Sequence, residues 1–329
     1  MHKKMIVIGS NSFSGSHFVD HLLKRGFDVI GISRSPEPNA VFLPYKNAPK
    51  RNFRFYRADL NSDLDKILKV IRAFRPGYVV NFAAQSMVGE SWAHPEHWFQ
   101  TNVVANVKLH DRLRECAFIR KYVHVSTPEV YGNCNGVVKE NTVYNPSTPY
   151  AVSRAAADMS LMSFYKTYGF PVVFTRAANV YGPGQQLYRI IPKTILSFII
   201  GRKVPLHGGG RSVRSFIHIA DVADGTLRTA ISGAPGEIFH FSTPRRISIR
   251  DLVQMIAEQM NVPFADNVES TGDRQGKDAA YLLDSSKAKK ILHWKDRIGL
   301  EQGIEETIGW VRDNLSILKK QPFNYIHKP

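Results

Sequence analysis

A glycine-bearing turn set directly between a buried strand and an amphipathic helix restricts this chain more than any other feature. Met5-Ile6-Val7-Ile8 has the unbroken apolar run of a strand covered on both faces. Gly9-Ser10-Asn11-Ser12-Phe13-Ser14-Gly15 follows at once. A helix then places Phe18, Val19, Leu22 and Leu23 on one face and stops near Gly26. Strand, turn and helix in that order bring backbone N–H groups to a helix N-terminus, where a dinucleotide pyrophosphate binds. Gly9, Asn11, Ser12, Phe13 and Gly15 are therefore candidate cofactor contacts. The two glycines are separated by five residues, and Ser12 stands where a Gly-x-x-Gly-x-x-Gly turn has its middle glycine.

Further strands alternate with helices at a steady pace. A second strand, Asp28 to Ile32, ends in Ser33-Arg34-Ser35. A carboxylate there would bind the adenosine ribose and favour NAD. Ser33 and Arg34 suit a 2′-phosphate instead, so NADP is favoured over NAD. A third strand, Phe53 to Tyr56, leads to Asp59 and Leu60 at the adenine edge. After a helix carrying Leu64, Ile67, Leu68 and Ile71, a fourth strand, Tyr78 to Asn81, runs into Phe82-Ala83-Ala84-Gln85-Ser86. The small Ala83 and Ala84, with Gln85, leave room for ribose and pyrophosphate. This pattern predicts an α/β fold: a Rossmann-like, doubly wound parallel sheet with its ligand crevice at the carboxyl ends of the strands. Residues 1–178 form the dinucleotide-binding domain in this reading. Residues 179–329, less regular, form a smaller C-terminal α/β substrate lobe, with some chain crossing back. That lobe has helices near Ile191–Ile200, Ile249–Met260 and Ile304–Asn314 and strands near Phe216 and at Ile238–Phe241.

The chemistry sits further along. A fifth strand, Tyr122 to Ser126, opens onto Thr127-Pro128-Glu129-Val130-Tyr131-Gly132, two hydroxyls and a carboxylate at a strand end. Tyr150 and Arg154 lie four residues apart at the start of a helix, hence on one face. A phenol beside a fixed cation loses its proton more easily and can act as a base near neutral pH.

Taken together, these stretches resemble the extended short-chain dehydrogenases/reductases, and among them the nucleotide-sugar 4,6-dehydratases. The resemblance spans Gly9 to about Trp310. It rests on the Gly9–Gly15 turn, Ala83-Ala84-Gln85-Ser86, Ser126-Thr127-x-Glu129-Val130-Tyr131-Gly132, Tyr150-x-x-x-Arg154, Asn179-x-Tyr181-Gly182-Pro183 and Asp273-Arg274-Gln275-Gly276-Lys277-Asp278. It implies that Tyr150 takes the 4-hydroxyl proton of an NDP-hexose while hydride leaves C4, with Thr127 or Ser126 holding that hydroxyl. Glu129 then removes the C5 proton, water leaves from C6, and hydride returns to C6 to give a 4-keto-6-deoxy sugar. Arg154 would serve the cofactor beside Tyr150. Ser86 and Asn179 would contact substrate; Arg189, Arg214 and Arg274 would grip the diphosphate in forked pairs. Helices near Gln100–Cys116 and Tyr150–Tyr168 would form the seam of a homodimer. The chain departs from the family pattern at Pro128, where many members carry an aspartate, and at Arg154, where lysine is usual.

Composition narrows the alternatives. With 329 residues, 43% hydrophobic and 22% charged, the chain reads as globular, and no apolar run approaches a membrane span. Two cysteines, Cys116 and Cys134, provide no disulfide framework and fit a cytoplasmic protein. The net charge of +16 is scattered rather than blocked, so no nucleic-acid partner is expected, although a non-catalytic RNA-binding relative is the reading of another class. On the same fold, a UDP-glucuronate decarboxylase or an NDP-sugar epimerase competes with the dehydratase; simple epimerases need no C5 base, which Glu129 would supply. His124 and His218 read as core histidines, Trp92 and Trp98 as helix packing, and no spacing marks a metal site.

Overall fold

The computed structural model describes residues 3–48, 52–134, 136–272 and 282–328. At its centre lies β1 (Lys4–Ile8), whose Met5, Ile6, Val7 and Ile8 are at most 1% exposed. Burying each such side chain contributes about 1.5–3 kcal/mol relative to leaving it in water. Around β1 run β2 (Asp28–Ser33), β3 (Phe53–Arg57), β4 (Tyr78–Asn81), β5 (Lys121–Val125), β6 (Val172–Ala177) and β7 (Ile238–Phe241). The order across the sheet is β7-β6-β5-β4-β1-β2-β3, and every neighbouring pair is parallel. The order in which strands are added reverses between β1 and β4, and that switch point opens the crevice at the strands' carboxyl ends.

Helices cover both faces. On one, α2 (Leu64–Phe74), α4 (Asn106–Leu113) and α5 (Pro149–Tyr168) pack Ile67, Ile71, Leu109 and Leu161 against Ile6, Ile30 and Tyr122. On the other, α1 (Phe13–Leu23) and α7 (Ile219–Ser232) pack Phe18, Leu22 and Leu227 against Met5, Val7 and Val123. Between β4 and α4 lie the short α3 (Pro95–Phe99) and a π-helical stretch, Gln100–Ala105. A separate core joins α6 (Ile190–Ile199), α8 (Ile249–Met260) and α10 (Leu300–Asp313) through Ile195, Leu252, Ile256, Ile304 and Val311; α9 (Ser286–Leu292) packs near β7.

Most element limits agree with the sequence reading, and two differences have clear causes. The fifth strand runs Lys121–Val125 rather than Tyr122 to Ser126: the Ser126 N–H still bonds Thr175 O at 2.8 Å, but its side chain has turned into the helix layer. The helix expected near Ile304–Asn314 starts at Leu300 because Leu300 is itself buried in the second core. Strand Ile238–Phe241 pairs with β6 at the edge of the main sheet, so residues 219–241 return to the Rossmann layers.

Candidate active site

The first turn owes its shape to a serine. Ser12 caps α1, its Oγ accepting from Gly15 N at 3.1 Å and donating to Gly9 O at 2.7 Å. A cap of this kind satisfies an orphan N–H of the first helical turn, so the hydroxyl takes the place of the missing glycine. Gly9 has φ +80°, and a Cβ at Gly15 would stand 2.1 Å from Gly9 O. No side chain fits where the chain folds back this tightly. Asn11 ties the turn to the end of β2: its N–H bonds Ser33 Oγ at 3.2 Å and its side-chain amide bonds Ser35 O at 3.0 Å. The Phe13 side chain is buried with Ala178, Ile217 and Phe239, which anchors the turn.

At the end of β2, Arg34 lines a cavity of about 450 Å³ with Arg57, Asp59, Ser62, Asp63 and Lys66. Leu60 is buried in the core beneath it. Ala83 lies under the turn, its backbone N 2.7 Å from where a Gly9 Cβ would be, and Ala84 follows it, half-buried. Gln85 is held by Asn102 from the π-helical stretch, which accepts from Gln85 N at 2.8 Å and donates to Gln85 O at 3.0 Å and Ser153 Oγ at 3.0 Å. Asn102 thus fixes the β4 loop against the residue beside Arg154. Sequence reasoning passed over it, and its only signal was a polar residue among helical apolar positions.

The reactive groups meet at the end of β5. Pro128 opens a single turn, Pro128–Tyr131, where its fixed φ suits a first helical position. That turn carries the Glu129 carboxylate back to accept the Thr127 hydroxyl proton. Thr127 also hydrogen-bonds the Tyr150 phenol, placed in the first turn of α5 by the Thr148 cap and Pro149. Ser126 faces the other way and donates to Asp158 Oδ2 at 2.6 Å. Of the two hydroxyls that the sequence left as equals, Thr127 belongs to the reactive cluster.

Burial and then the Glu129 charge push the Tyr150 phenol up to about 12, against the pull of Arg154, the Thr127 hydrogen bond and Arg189. The cation does favour deprotonation as expected, but burial and Glu129 outweigh it. Arg154, 2% exposed, donates through Nη2 to His124 Nε2 at 3.2 Å and to Val125 O. Its Nε and Nη1 are buried with no hydrogen-bond partner among the described residues. Buried donors are costly to leave unmade, and two of them beside Tyr150 fit the hydroxyls of a nicotinamide ribose.

Behind this cluster lies a charged layer that the sequence did not reveal. Asp158, fully buried, accepts from Arg176 Nη2 at 2.7 Å as well as from Ser126. Arg176 continues to the Tyr131 hydroxyl and, at 3.0 Å, to that of Tyr144; Tyr131 meets His240 at 2.8 Å. Burial, Arg154 and Arg176 together drive His124 well below the usual range, so it is a neutral acceptor for Arg154. It is more than the simple core residue expected of it.

The substrate candidates divide. Arg189 is the residue before α6, and its charge reaches both Tyr150 and Tyr325. Asn179 starts the short strand Asn179–Tyr181 and donates to Ser215 O at 3.3 Å. Ser86 is exposed beside Gln85. Arg214, on Val213–Arg214, bonds Val213 O at 2.8 Å. Arg274, with the 273–278 motif, lies outside the described residues.

A Rossmann sheet with a threonine, a tyrosine and a cation at its carboxyl edge defines an extended short-chain dehydrogenase/reductase. Residues 6–307 match the family model for GDP-mannose 4,6 dehydratase. The chain is 33% identical to the dTDP-glucose 4,6-dehydratase of Streptomyces antibioticus, over 97% of this chain and 96% of that one. It superimposes with a TM-score of 0.88, at 30% identity, on DesIV (dTDP-glucose 4,6-dehydratase) from Streptomyces venezuelae, solved with NAD and TYD bound; the match covers 95% of this chain and 98% of that one. It is also 29% identical, over 95% of its length, to the trifunctional UDP-glucose 4,6-dehydratase/UDP-4-keto-6-deoxy-D-glucose 3,5-epimerase/UDP-4-keto-L-rhamnose-reductase RHM1 of Arabidopsis thaliana, of which it spans about half, 47%. The chain belongs to the GDP-mannose 4,6-dehydratase family: it is a nucleotide-sugar 4,6-dehydratase that works with a nicotinamide dinucleotide.

Proposed function

We propose that the chain converts an NDP-hexose to its 4-keto-6-deoxy product with Thr127, Glu129 and Tyr150 as the reacting side chains and Arg154 on the cofactor ribose. The observation that carries this is the continuous hydrogen-bonded path from Tyr150 through Thr127 to Glu129. It sets a base for the C4 hydroxyl beside a base for C5. A bound nicotinamide dinucleotide supplies the acceptance and return of hydride. Thr127 orients the C4 hydroxyl, and Tyr150 takes its proton. Glu129 takes the C5 proton and, Pro128 having none to give, returns it to the departing C6 hydroxyl. Gly9, Asn11, Ser12, Gly15, Ala83, Ala84 and Gln85 shape the pyrophosphate and ribose crevice, and Arg189 is placed for the substrate diphosphate. Incubation with a panel of nucleotide-sugars, read by mass spectrometry, tests this reading: loss of one water from an NDP-hexose supports it. Loss of carbon dioxide from a UDP-glucuronate, or epimerisation without mass change, would replace it.

We take NAD as the cofactor: the sequence points to NADP, but the neighbouring dehydratase structures were solved with NAD bound. Arg34, Arg57 and Lys66 line the cavity at the end of β2, but so do the Asp59 and Asp63 carboxylates, which would repel a 2′-phosphate. Mass spectrometry of cofactor released on denaturation decides it; recovery of NADP alone would overturn it.

We also propose a cytoplasmic homodimer paired through α5 and the helices spanning 95–113. Val104, Val152 and Met159 are exposed on these elements at 39%, 38% and 60%, as a covered seam requires. Among the described residues no helix is long and apolar enough to cross a membrane. A monomer at micromolar concentration in sedimentation would refute the pairing.

A further inference from the structure

Residues 324–328 leave the second core and run back over the Rossmann crevice. Phe323 still packs in that core. Tyr325 then meets Tyr188 edge to face at 5.4 Å, and its phenol feels the charges of Arg34, Glu90 and Arg189. His327 stacks on the buried Trp98, ring centroids 5.2 Å apart and planes within 7°, and its Nε2 lies 2.8 Å from His97 Nδ1. At Lys328 the backbone carbonyl accepts from Gln85 Nε2 at 2.6 Å and from Arg34 Nη2 at 3.0 Å, while Nζ reaches Ser35 Oγ at 3.3 Å. These contacts join residues as far apart in sequence as 34 and 328.

We infer that the segment 324–328 is an intramolecular plug of the cofactor crevice, which the dinucleotide must displace in order to bind. Arg34 and Gln85 are residues assigned above to the cofactor crevice, at the end of β2 and at the ribose and pyrophosphate. Here both donate to one peptide carbonyl, so plug and cofactor compete for the same donors. Two features make the segment a seated ligand rather than a stray tail. Its imidazole is stacked and hydrogen-bonded at the same time, and its carbonyl takes two side-chain donors. The seat sits among His94, His97 and Glu96, whose ligand atoms approach within 4.8 Å of one another, with Glu90 and Arg34 beyond them. The apparent affinity of a site that is open only part of the time is reduced by the open fraction. A plug closed nine-tenths of the time therefore weakens cofactor binding about tenfold.

The inference rests on Arg34 and Gln85 belonging to the cofactor crevice, and its test reads cofactor affinity without any sugar, so its failure leaves the dehydratase reading in place. NADP and NAD are titrated into cofactor-stripped full-length protein, into a chain ended after Phe323, and into His327→Ala. Ending at Phe323 keeps the aromatic ring that packs in the second core. The shortened chain is expected to bind dinucleotide about tenfold more tightly, with His327→Ala between the two. A synthetic peptide of residues 322–329 added to the shortened chain should weaken its binding again in a competitive manner. Equal affinity in the full-length and shortened chains would overturn the plug. Weaker affinity in the shortened chain would also overturn it, by showing that the segment holds cofactor in rather than out.

Discussion

Ser126 gives its hydroxyl proton to Asp158 at 2.6 Å, inside the protein and away from Thr127, the neighbour with which it shares a motif. Adjacent residues leaving a strand point to opposite sides, so one hydroxyl joins the buried charges and the other the reactive cluster. Ser126→Ala should accordingly cost stability, by about 1.5–3 kcal/mol for a hydrogen bond to a charged group, with kcat little changed. Thr127→Ala should lower kcat and leave the denaturation midpoint much closer to wild type. Urea unfolding and steady-state kinetics on both variants separate the two roles, and the reverse pattern would exchange them.

Removing the Asp158 charge goes further. Asp158→Asn leaves the Arg176 guanidinium buried without its carboxylate, a loss of about 3–5 kcal/mol. The midpoint should fall more than for Ser126→Ala, and Arg176→Met in the same chain should recover part of it.

Glu129 separates dehydration from plain oxidation. Glu129→Gln keeps the shape but accepts no proton, and turnover should drop by about 10²–10⁴-fold. Tyr150 can still act at C4, so the variant should reduce its nicotinamide, seen by absorbance, without losing water from the sugar. Tyr150→Phe should show neither. Substrate deuterated at C4 should carry the label to C6 in wild type. Dehydration at a near-normal rate by Glu129→Gln would remove the residue from the mechanism.

The Tyr150 phenol stands at about 12 because burial and Glu129 outweigh Arg154 and Arg189. Ultraviolet difference titration of cofactor-free wild type against Tyr150→Phe should find a phenol with a midpoint near 12. Glu129→Gln removes a negative neighbour and should move the midpoint down; Arg154→Gln removes a positive one and should move it up. A midpoint indifferent to both changes would mean that neither charge reaches the phenol.

Buried neutral histidines set the response to acid. Burial holds His17 at about 4 and His240 at about 3, against about 6.5 in the unfolded chain. Below about pH 6.5 the unfolded state therefore takes up protons that the folded state refuses, and stability falls with pH. Each histidine removes about 1.4 kcal/mol per pH unit until its folded value is reached. The urea midpoint should decline from pH 7 to pH 4. His17→Gln, which keeps a donor for Pro183 O, should flatten that slope. A flat wild-type profile would contradict the assignment.

What the sequence determined by itself is the sheet and its edge. Apolar runs such as Met5–Ile8 and Tyr78–Val80, glycines at the first turn and apolar helix faces are local signals. Each reports a conformation that its own neighbours enforce. The Tyr150–Arg154 spacing and the Thr127–Glu129 motif were legible for the same reason, since four residues on a helix and two past a strand fix which groups can meet. Only the tertiary structure decided which of Ser126 and Thr127 faces the reactive cluster, that Tyr150 is raised rather than lowered, and that His124, Asp158, Arg176 and Tyr131 form one charged layer. It alone brought Lys328 to Arg34 and Gln85. These relationships join residues 18 to 294 positions apart. They depend on burial and on the sum of opposing charges, which exist only once distant segments have packed together and excluded water.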